Sequence, residues 1–234
     1  MDNATANDSA SKDPVAIRVW DWPVRLVHWA MVLLLVVLLA TAKIGGDAMA
    51  WHMRAGEAIL AVVMFRVVWG FAGTYHARFS SFVRGPRAVI AYTRSVLTPR
   101  RQLHVGHNPL GGWAVVALLL ALLFQASTGL FTNDDVLIDG PLVALITKNL
   151  SDTISSFHRW NVWIVVALAS AHIGAVLFYV IVLRDNLIKP MLDGAKSLPA
   201  TRAIPPRGGS LNGVKAALLF AACAALVGWV VARR

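Results

Sequence analysis

Two histidines in one apolar stretch are spaced so that they could serve as metal ligands at two depths of a membrane. His158 and His172 lie fourteen residues apart in FHRWNVWIVVALASAHIGAVLFYVIVL. Fourteen residues make nearly four helical turns, so both imidazoles project from almost the same side, about 21 Å apart along the axis. Because this distance covers most of a hydrocarbon core, one helix would present a nitrogen ligand near each membrane surface.

Two further histidines occupy other apolar stretches at matching depths, His28 near the inner surface and His52 near the outer surface. Depth matching pairs His28 with His172, and His52 with His158. Two imidazoles on facing helices at one level can bind opposite faces of one porphyrin iron. The sequence therefore predicts two stacked haem b groups (iron protoporphyrin IX), with His28, His52, His158 and His172 as the metal ligands.

Other metal chemistry fits the sequence less well. The chain has a single cysteine, Cys223, and no CxxCH motif, so an iron–sulfur cluster is excluded and any haem is held non-covalently. Zinc suits the histidines poorly, since each level offers two rings and no carboxylate or thiolate to complete four-coordination. Haem ligation is the better interpretation of the four histidines.

The stretches that must position these histidines have the length of membrane spans. Five apolar blocks cover residues 24–41, 51–70, 112–131, 157–182 and 214–231, each close to the roughly 20 residues that a crossing needs. We therefore expect an all-α membrane protein, a transmembrane four-helix bundle that binds two b haems, with a fifth C-terminal transmembrane helix. The expected organisation is a disordered cytoplasmic tail (1–16), a four-helix domain (17–196), a linker (197–212) and the additional helix (213–234).

Composition and charge placement indicate a membrane location and an orientation. The chain is 57% hydrophobic with a mean hydropathy of +0.62, too apolar for a soluble domain of 234 residues. Its net charge of +10 lies in the connections between apolar blocks, so nucleic acid is not an expected partner. The connection 71–112 lacks acidic residues and contains Arg78, Arg84, Arg87, Arg94, Arg100 and Arg101. The positive-inside rule then predicts a multi-pass protein of the bacterial inner membrane with a cytoplasmic N-terminus.

Arginines and a glycine near the histidines are candidate contacts to the cofactor. Arg25, Arg54 and Arg159 neighbour the predicted ligands, and each could bind a haem propionate or reach toward lipid headgroups. Arg66 follows His52 by fourteen residues, so it shares that face at the depth of the inner haem, where a buried guanidinium requires an anion such as a propionate. Gly56, one turn after His52, would let a flat macrocycle approach the backbone, although close helix packing explains a glycine equally well.

Two expectations concern the connections. The short apolar piece 141–150 is expected to form a helix that lies on the outer surface. His76, His104 and His107 fall in the basic connection and are expected to be solvated loop histidines.

The chain also resembles a known family. The resemblance rests on VWDWPVRLVHW (19–29), WHMRAGEAILAVVMFRVVWG (51–70), HARFSSFVRGPRAVIAY (76–92), GHNPLGG (106–112), SFHRWNVWIVVALASAHIGAVLFY (156–179) and RDNLIKPMLDG (184–194). Together these strings are similar to the bacterial cytochrome b561 family, in the branch of b-type cytochrome subunits of nickel–iron hydrogenases, over about residues 16–196. The resemblance implies a four-helix bundle with two b haems on the same four histidines. It also implies electron exchange between a quinone pool and a redox partner such as a cytochrome c or a dehydrogenase or hydrogenase subunit.

The sequence thus favours transmembrane electron transfer through two bis-histidine haems. One alternative is a quinone-linked superoxide oxidase, as in one branch of the family. The connection after the third apolar block, predicted to lie outside, is acidic (Asp134, Asp135, Asp139 and Asp152) and would not steer an anion toward the outer haem. A second alternative is a non-redox transporter or membrane anchor, but the chain shows neither the internal repeats nor the broken helices typical of transporters.

Overall fold

The structure is a computed structural model that describes residues 14–96, 98, 104–135, 138–199 and 213–232. Predictions about residues 1–13, Arg100, Arg101 and the linker residues 200–212 therefore lie outside the described residues. Within the described ranges the helices are α1 (Trp22–Ile44), α2 (Ala48–Ala72), α3 (Phe79–Phe82), α4 (Pro86–Ser95), α5 (Pro109–Gly129), α6 (Lys148–Ile181), α7 (Ile188–Asp193) and α8 (Gly213–Val231).

Five of these helices, α1, α2, α5, α6 and α8, are long and apolar enough to cross a membrane. They contain 19 to 34 residues, and each includes an 18-residue segment whose mean hydropathy lies between 1.7 and 2.3. Helices satisfy every backbone polar group internally, which the interior of a bilayer requires. The predicted all-α membrane fold with five spans is confirmed.

Local signals set the ends of the first two spans. The Asp21 carboxylate accepts a hydrogen bond from Val24 N at 2.8 Å and so caps α1, whose first turn also contains a proline. Gly45 and Gly46 follow α1 with φ of 69° and 53°, a left-handed conformation that glycine adopts without strain. This tight turn makes α1 and α2 antiparallel neighbours and places His28 and His52 at opposite ends of the pair.

Helix α6 begins before the predicted fourth span (157–182). Its additional first turns are polar and are stabilised by contacts with the preceding connection. It begins at Lys148, and Lys148 contacts the carboxylates of both Asp135 and Asp152, while Asn133 Nδ2 donates to Ser151 Oγ and to Asp152 Oδ1 (2.5 and 3.0 Å). The expectation of a separate surface helix over 141–150 is therefore wrong. That piece contains a 3-10 turn (Val143–Leu145) followed by the start of α6.

A small sheet corrects two predicted boundaries. Strand β1 (Pro14–Arg18) pairs antiparallel with β2 (Ala195–Pro199), with Ala16 opposite Ser197. Residues 14–16 therefore belong to a strand rather than to the expected disordered tail, and residues 197–199 belong to a strand rather than to the linker. The pairing joins the segment before α1 to the segment after α6, a contact between residues too distant in sequence for local patterns to indicate.

The helices pack around α2, which contacts α1, α5 and α8, while among the described elements α6 packs extensively only on α5. One apolar cluster joins α2 to α5 and α6, with Ile59, Val63, Leu119 and Val165 at its centre. A second joins α1, α2 and α8 and includes Val24, Phe65, Trp69 and Cys223. The fifth helix therefore covers the side of α2 near Phe65 and Trp69.

Candidate functional site

The inner histidine pair is formed by α1 and α6. His28 lies two turns into α1, and His172 lies in the C-terminal half of α6. Their ring centroids are 6.4 Å apart and the ring planes are inclined at 57°. The structure thus brings together the two histidines that depth matching paired at the inner level.

The outer pair is formed by α2 and α6. His52 lies in the second turn of α2, and its ring centroid is 6.5 Å from that of His158, with the planes nearly perpendicular at 80°. Because α6 begins ten residues before His158, this histidine lies within the helix rather than at its start. A single helix therefore contributes one ring to each pair, as the fourteen-residue spacing predicts.

The separation of the rings fits haem. Metal–imidazole bonds are about 2 Å long, and each ring nitrogen lies about 1 Å from its ring centroid, so two rings on one iron have centroids about 6 Å apart. The measured values of 6.4 and 6.5 Å meet this requirement. Direct ring stacking would bring the centroids closer. Among the described residues no group of three or more His, Cys, Asp or Glu side chains could hold a metal ion.

Backbone carbonyls orient both outer imidazoles. His52 Nδ1 lies 3.0 Å from the Leu38 carbonyl, and His158 Nδ1 lies 3.0 Å from the Gln125 carbonyl. A carbonyl oxygen only accepts, so Nδ1 carries the proton in both rings and Nε2 keeps its lone pair for a metal. The hydroxyls of Thr41 and Thr128 lie 3.3 and 3.1 Å from the same nitrogens.

Helix α5 supports the outer pair through residues that sequence reasoning did not identify. A Cβ at Gly129 would lie 3.1 Å from His158 Cε1, so the glycine makes room for the ring. The Gln125 side chain donates to the His158 carbonyl at 3.0 Å, and it accepts from Asn161 at 2.8 Å. A polar Gln and Thr three residues apart in an apolar span are the sequence signal that could have identified this support.

The glycine predicted to face the macrocycle is not explained by helix packing. A Cβ built at Gly56 meets no protein atom within 4 Å, and the same holds for Gly174 near His172. Of the two explanations given for Gly56, close contact with another helix is therefore not supported by the structure. Approach of a macrocycle to the backbone stays a prediction.

The two arginines next to the outer histidine pair, Arg54 and Arg159, are exposed, whereas Arg25 lies beside α7. Arg54 is exposed, with its guanidinium 5.7 Å above the Trp51 ring. Arg159 is exposed and donates to Ser156 Oγ at 3.2 Å, close enough to His158 to act on it electrostatically. Arg25 donates to the Leu192 carbonyl at the end of α7, and its Nε is buried. Their binding of propionates stays a prediction.

Arg66 is buried, as its position on α2 predicts. Its side chain is 4% exposed, its guanidinium lies 5.6 Å from the Phe79 ring centroid, and Nη1 donates to the Ala77 carbonyl over a long 3.4 Å. The carboxylate that acts on it electrostatically, Asp21, is engaged by Trp69 Nε1 at 2.9 Å and Thr74 Oγ1 at 2.8 Å. Arg66 is thus a buried cation beside a carboxylate that other donors already occupy.

The expectation that the connection histidines are solvated is wrong for His107. Its ring packs between Trp20 and Phe82, with centroid distances of 4.6 and 4.5 Å, and its Nδ1 is shielded from solvent. Burial, followed by the positive charge of Arg66, lowers the pKa of His107 to about 3, so the ring is neutral near pH 7. Burial also lowers the pKa of His76.

The N-terminus of α5 fixes His107 in this position. Asn108 caps α5 by accepting from Gly111 N at 2.7 Å, and its amide donates to the Tyr179 hydroxyl of α6 at 3.1 Å. Electrostatic interactions connect His107 with Arg66, His76 and both rings of the inner pair. The basic connection therefore folds back onto the inner end of the bundle and becomes part of the site.

Comparison with known proteins gives one family. A family model described as prokaryotic cytochrome b561 matches residues 19–194, about three quarters of the chain. The match includes all four histidines of the two pairs and ends before α8. No solved structure matches the chain significantly.

Several curated relatives are similar over most of their length. The probable Ni/Fe-hydrogenase 1 B-type cytochrome subunit of Escherichia coli strain K12 is 26% identical, over 80% of this chain and 93% of the relative. The probable Ni/Fe-hydrogenase B-type cytochrome subunits of Rhizobium leguminosarum bv. viciae and Cupriavidus necator are 26% and 27% identical, each over 94% of the relative. They cover 82% and 83% of this chain.

Proposed function

Because this chain belongs to the prokaryotic cytochrome b561 family and is a membrane-spanning b-type cytochrome, we propose that it carries electrons across the membrane through two haem b groups. In this proposal His28 and His172 would hold the inner haem, and His52 and His158 would hold the outer haem. The observation that carries this proposal is the pair of ring separations, 6.4 and 6.5 Å, at two levels of one bundle.

The residues of the chain have distinct tasks in this function. A bound haem supplies one-electron chemistry by cycling between ferric and ferrous iron. The four imidazoles would hold the two groups about 21 Å apart along α6, so that electrons would pass along the bundle rather than across it. Each histidine pair would supply two nitrogen ligands to one iron, which would leave no open position for oxygen as a substrate. The carbonyls of Leu38 and Gln125 fix the outer rings and raise the basicity of Nε2.

The proposed partners are a quinone in the lipid phase and a redox protein subunit. The names of the relatives connect them to nickel–iron hydrogenases, which supports a hydrogenase or dehydrogenase subunit as the partner here. The proposed orientation places the N-terminus and the connection 73–108 in the cytoplasm, since the described part of that connection is basic and lacks acidic residues. The proposed membrane is the bacterial inner membrane.

Haem stoichiometry tests the two-site proposal. His158→Ala removes one axial ligand of the outer haem, so we expect one haem per chain by pyridine haemochrome instead of two. His104→Ala, in the connection and outside both pairs, is the matched control and should retain two. Two haems per chain in His158→Ala, or one in the wild type, would contradict the proposal.

Quinone reactivity is tested separately on the intact protein. The protein is reduced anaerobically and mixed with a water-soluble quinone in a stopped-flow spectrometer, and haem oxidation is followed at the α-band. We expect rapid oxidation that requires both haems and is slower in His28→Ala. A reduced protein that quinone leaves unchanged would exclude the quinone pool as a partner while leaving the haem sites in place.

A further inference from the structure

Buried polar nitrogens without hydrogen-bond partners are concentrated at the inner histidine pair. Within the described ranges, and leaving exposed side chains aside, three such atoms occur, Arg25 Nε, His28 Nδ1 and His107 Nδ1. His28 is an inner ring, Arg25 lies one turn before it on α1, and His28 acts electrostatically on His107. The outer rings differ, because both outer Nδ1 atoms are paired with carbonyls. The inner end therefore has donors that the protein itself does not satisfy.

A buried cation lies at the same end. Arg66 is 4% exposed, and none of the ion pairs within 4 Å among the described residues includes it. Its one hydrogen bond, to the Ala77 carbonyl, is 3.4 Å long and leaves most of its five donors without a strong acceptor. Leaving a guanidinium buried without an anion is costly, so such a site is expected to bind one.

The side chains of Arg66 and His107 indicate which kind of anion would bind to them. Arg66 provides a guanidinium fork, and His107 provides a neutral imidazole with one N–H. The guanidinium acts electrostatically on the His107 ring. A fork and a neighbouring N–H match the oxygens of a carboxylate, which accepts bidentate and charge-assisted hydrogen bonds. Haem b carries two propionate carboxylates at one edge, and the proposed inner haem lies between His28 and His172, which also act on His107 electrostatically.

We propose that Arg66 and His107 together bind a propionate of the inner haem, so that this haem is oriented with its carboxylate edge toward α2 and the start of α5. The inference rests on the proposed function, because it needs a haem between His28 and His172. It assigns the basic connection, which comes from outside the four spans, a direct role in holding that cofactor. The cofactor then supplies the directly bound anion for Arg66, which forms no ion pair within 4 Å with a described side chain.

The first test keeps Arg66 and His107 unchanged and changes the cofactor. In a His158→Ala background, which leaves only the inner site, apoprotein is titrated with iron protoporphyrin IX and with its dimethyl ester, whose propionates cannot carry charge. We expect the ester to bind about tenfold more weakly or worse, because a charge-assisted hydrogen bond is lost. Equal affinities for the two haems would overturn the inference.

The second test removes the guanidinium from the full-length protein with both haems. In Arg66→Gln the inner haem should have a lower midpoint potential, because a nearby positive charge disfavours the ferric form, and the preference for protoporphyrin over its ester should disappear. Arg87→Gln makes the same charge change at an exposed site in α4 and should leave both haem potentials unchanged. Arg66→Lys keeps the charge but lacks the fork, so it should retain the potential better than it retains the ester discrimination.

The outcomes separate this inference from the proposed function. Wild-type protein with two haems, together with unchanged potential and unchanged ester discrimination in Arg66→Gln and His107→Phe, overturns the propionate site alone. If His158→Ala loses both haems, or loses none, the proposal that the protein carries electrons through two separate haem sites is overturned. If Arg66→Gln does not accumulate in membranes, the ester comparison on the native Arg66 still decides the question.

Discussion

Each candidate iron ligand is an imidazole whose second nitrogen needs a partner before the ring is held in one orientation. His52 and His158 satisfy this need with main-chain carbonyls of the neighbouring helices, each at 3.0 Å. A carbonyl acceptor cannot be removed by side-chain mutation, so these two rings are oriented by helix packing itself. The inner ring of His28 has no such partner at Nδ1 among the described residues, and it packs edge-on against Trp29.

A residue-scale prediction concerns Gly56. Gly56→Val adds a branched side chain where no protein atom lies within 4 Å, so the substitution is tolerated by the protein but occupies the space proposed for the outer macrocycle. We expect about one haem per chain by pyridine haemochrome. Gly228→Val in α8 is the matched control, since its Cβ also meets no protein atom, and it should retain two. A Gly56→Val protein with two haems and unchanged potentials would show that the macrocycle does not approach this helix.

Elements of the fold are positioned by polar contacts at their ends. Asp21 caps α1 through Val24 N, and the same carboxylate accepts from Trp69 at the end of α2 and from Thr74 just after it. Asp47, which precedes α2, makes no capping hydrogen bond. One aspartate therefore joins the inner ends of two helices that carry histidines, while the other has no such role.

This contrast gives an element-scale prediction. Asp21→Ala removes a cap and leaves the Trp69 N–H and the Thr74 hydroxyl without their acceptor, so we expect a loss of about 2–4 kcal/mol in the free energy of unfolding. Asp47→Ala should change it by less than about 0.5 kcal/mol. Denaturant-induced unfolding in detergent, followed by the Soret band, measures both. Similar losses in the two variants would show that Asp21 is not a structural junction.

At the scale of the whole molecule, the described helices divide into those that carry histidines and those that support them. Helices α1, α2 and α6 provide the four imidazoles, and α5 orients His158. Helix α8 packs on α2 through Ala216, Cys223 and Val227, on the side that includes Trp69. Its contact is reinforced by Lys215, whose ammonium donates to the Ala72 carbonyl at 2.7 Å. The fifth span is thus attached to the bundle without contributing a ring.

Removal of α8 tests this division. Deleting residues 210–234 should leave two haems per chain, because no imidazole is lost and lipid can cover the exposed face of α2. The melting temperature should fall, because the close packing of Ala216 and Cys223 against α2 is lost. Haem content and thermal unfolding of the truncated protein, measured beside the full chain, check both parts. Loss of either haem would mean that α8 supports the site directly.

Much of the fold and the identity of the histidine pairs could be predicted from the sequence because they follow from local properties. Apolar blocks of spanning length predicted the five membrane helices, and the fixed rise of a helix placed His158 and His172 at two levels. None of these features requires knowledge of which helix lies beside which.

The tertiary structure alone decided the rest, because those features join residues that are far apart in the chain. The pairing of β1 with β2, the polar contacts that extend α6 to Lys148, and the carbonyls that hold His52 and His158 depend on packing between separate elements. His107 shows the difference most clearly. The sequence places it in a basic connection and suggests solvation, whereas the fold returns that connection to the bundle and buries Nδ1 near Arg66, since electrostatics and burial depend on distance in space.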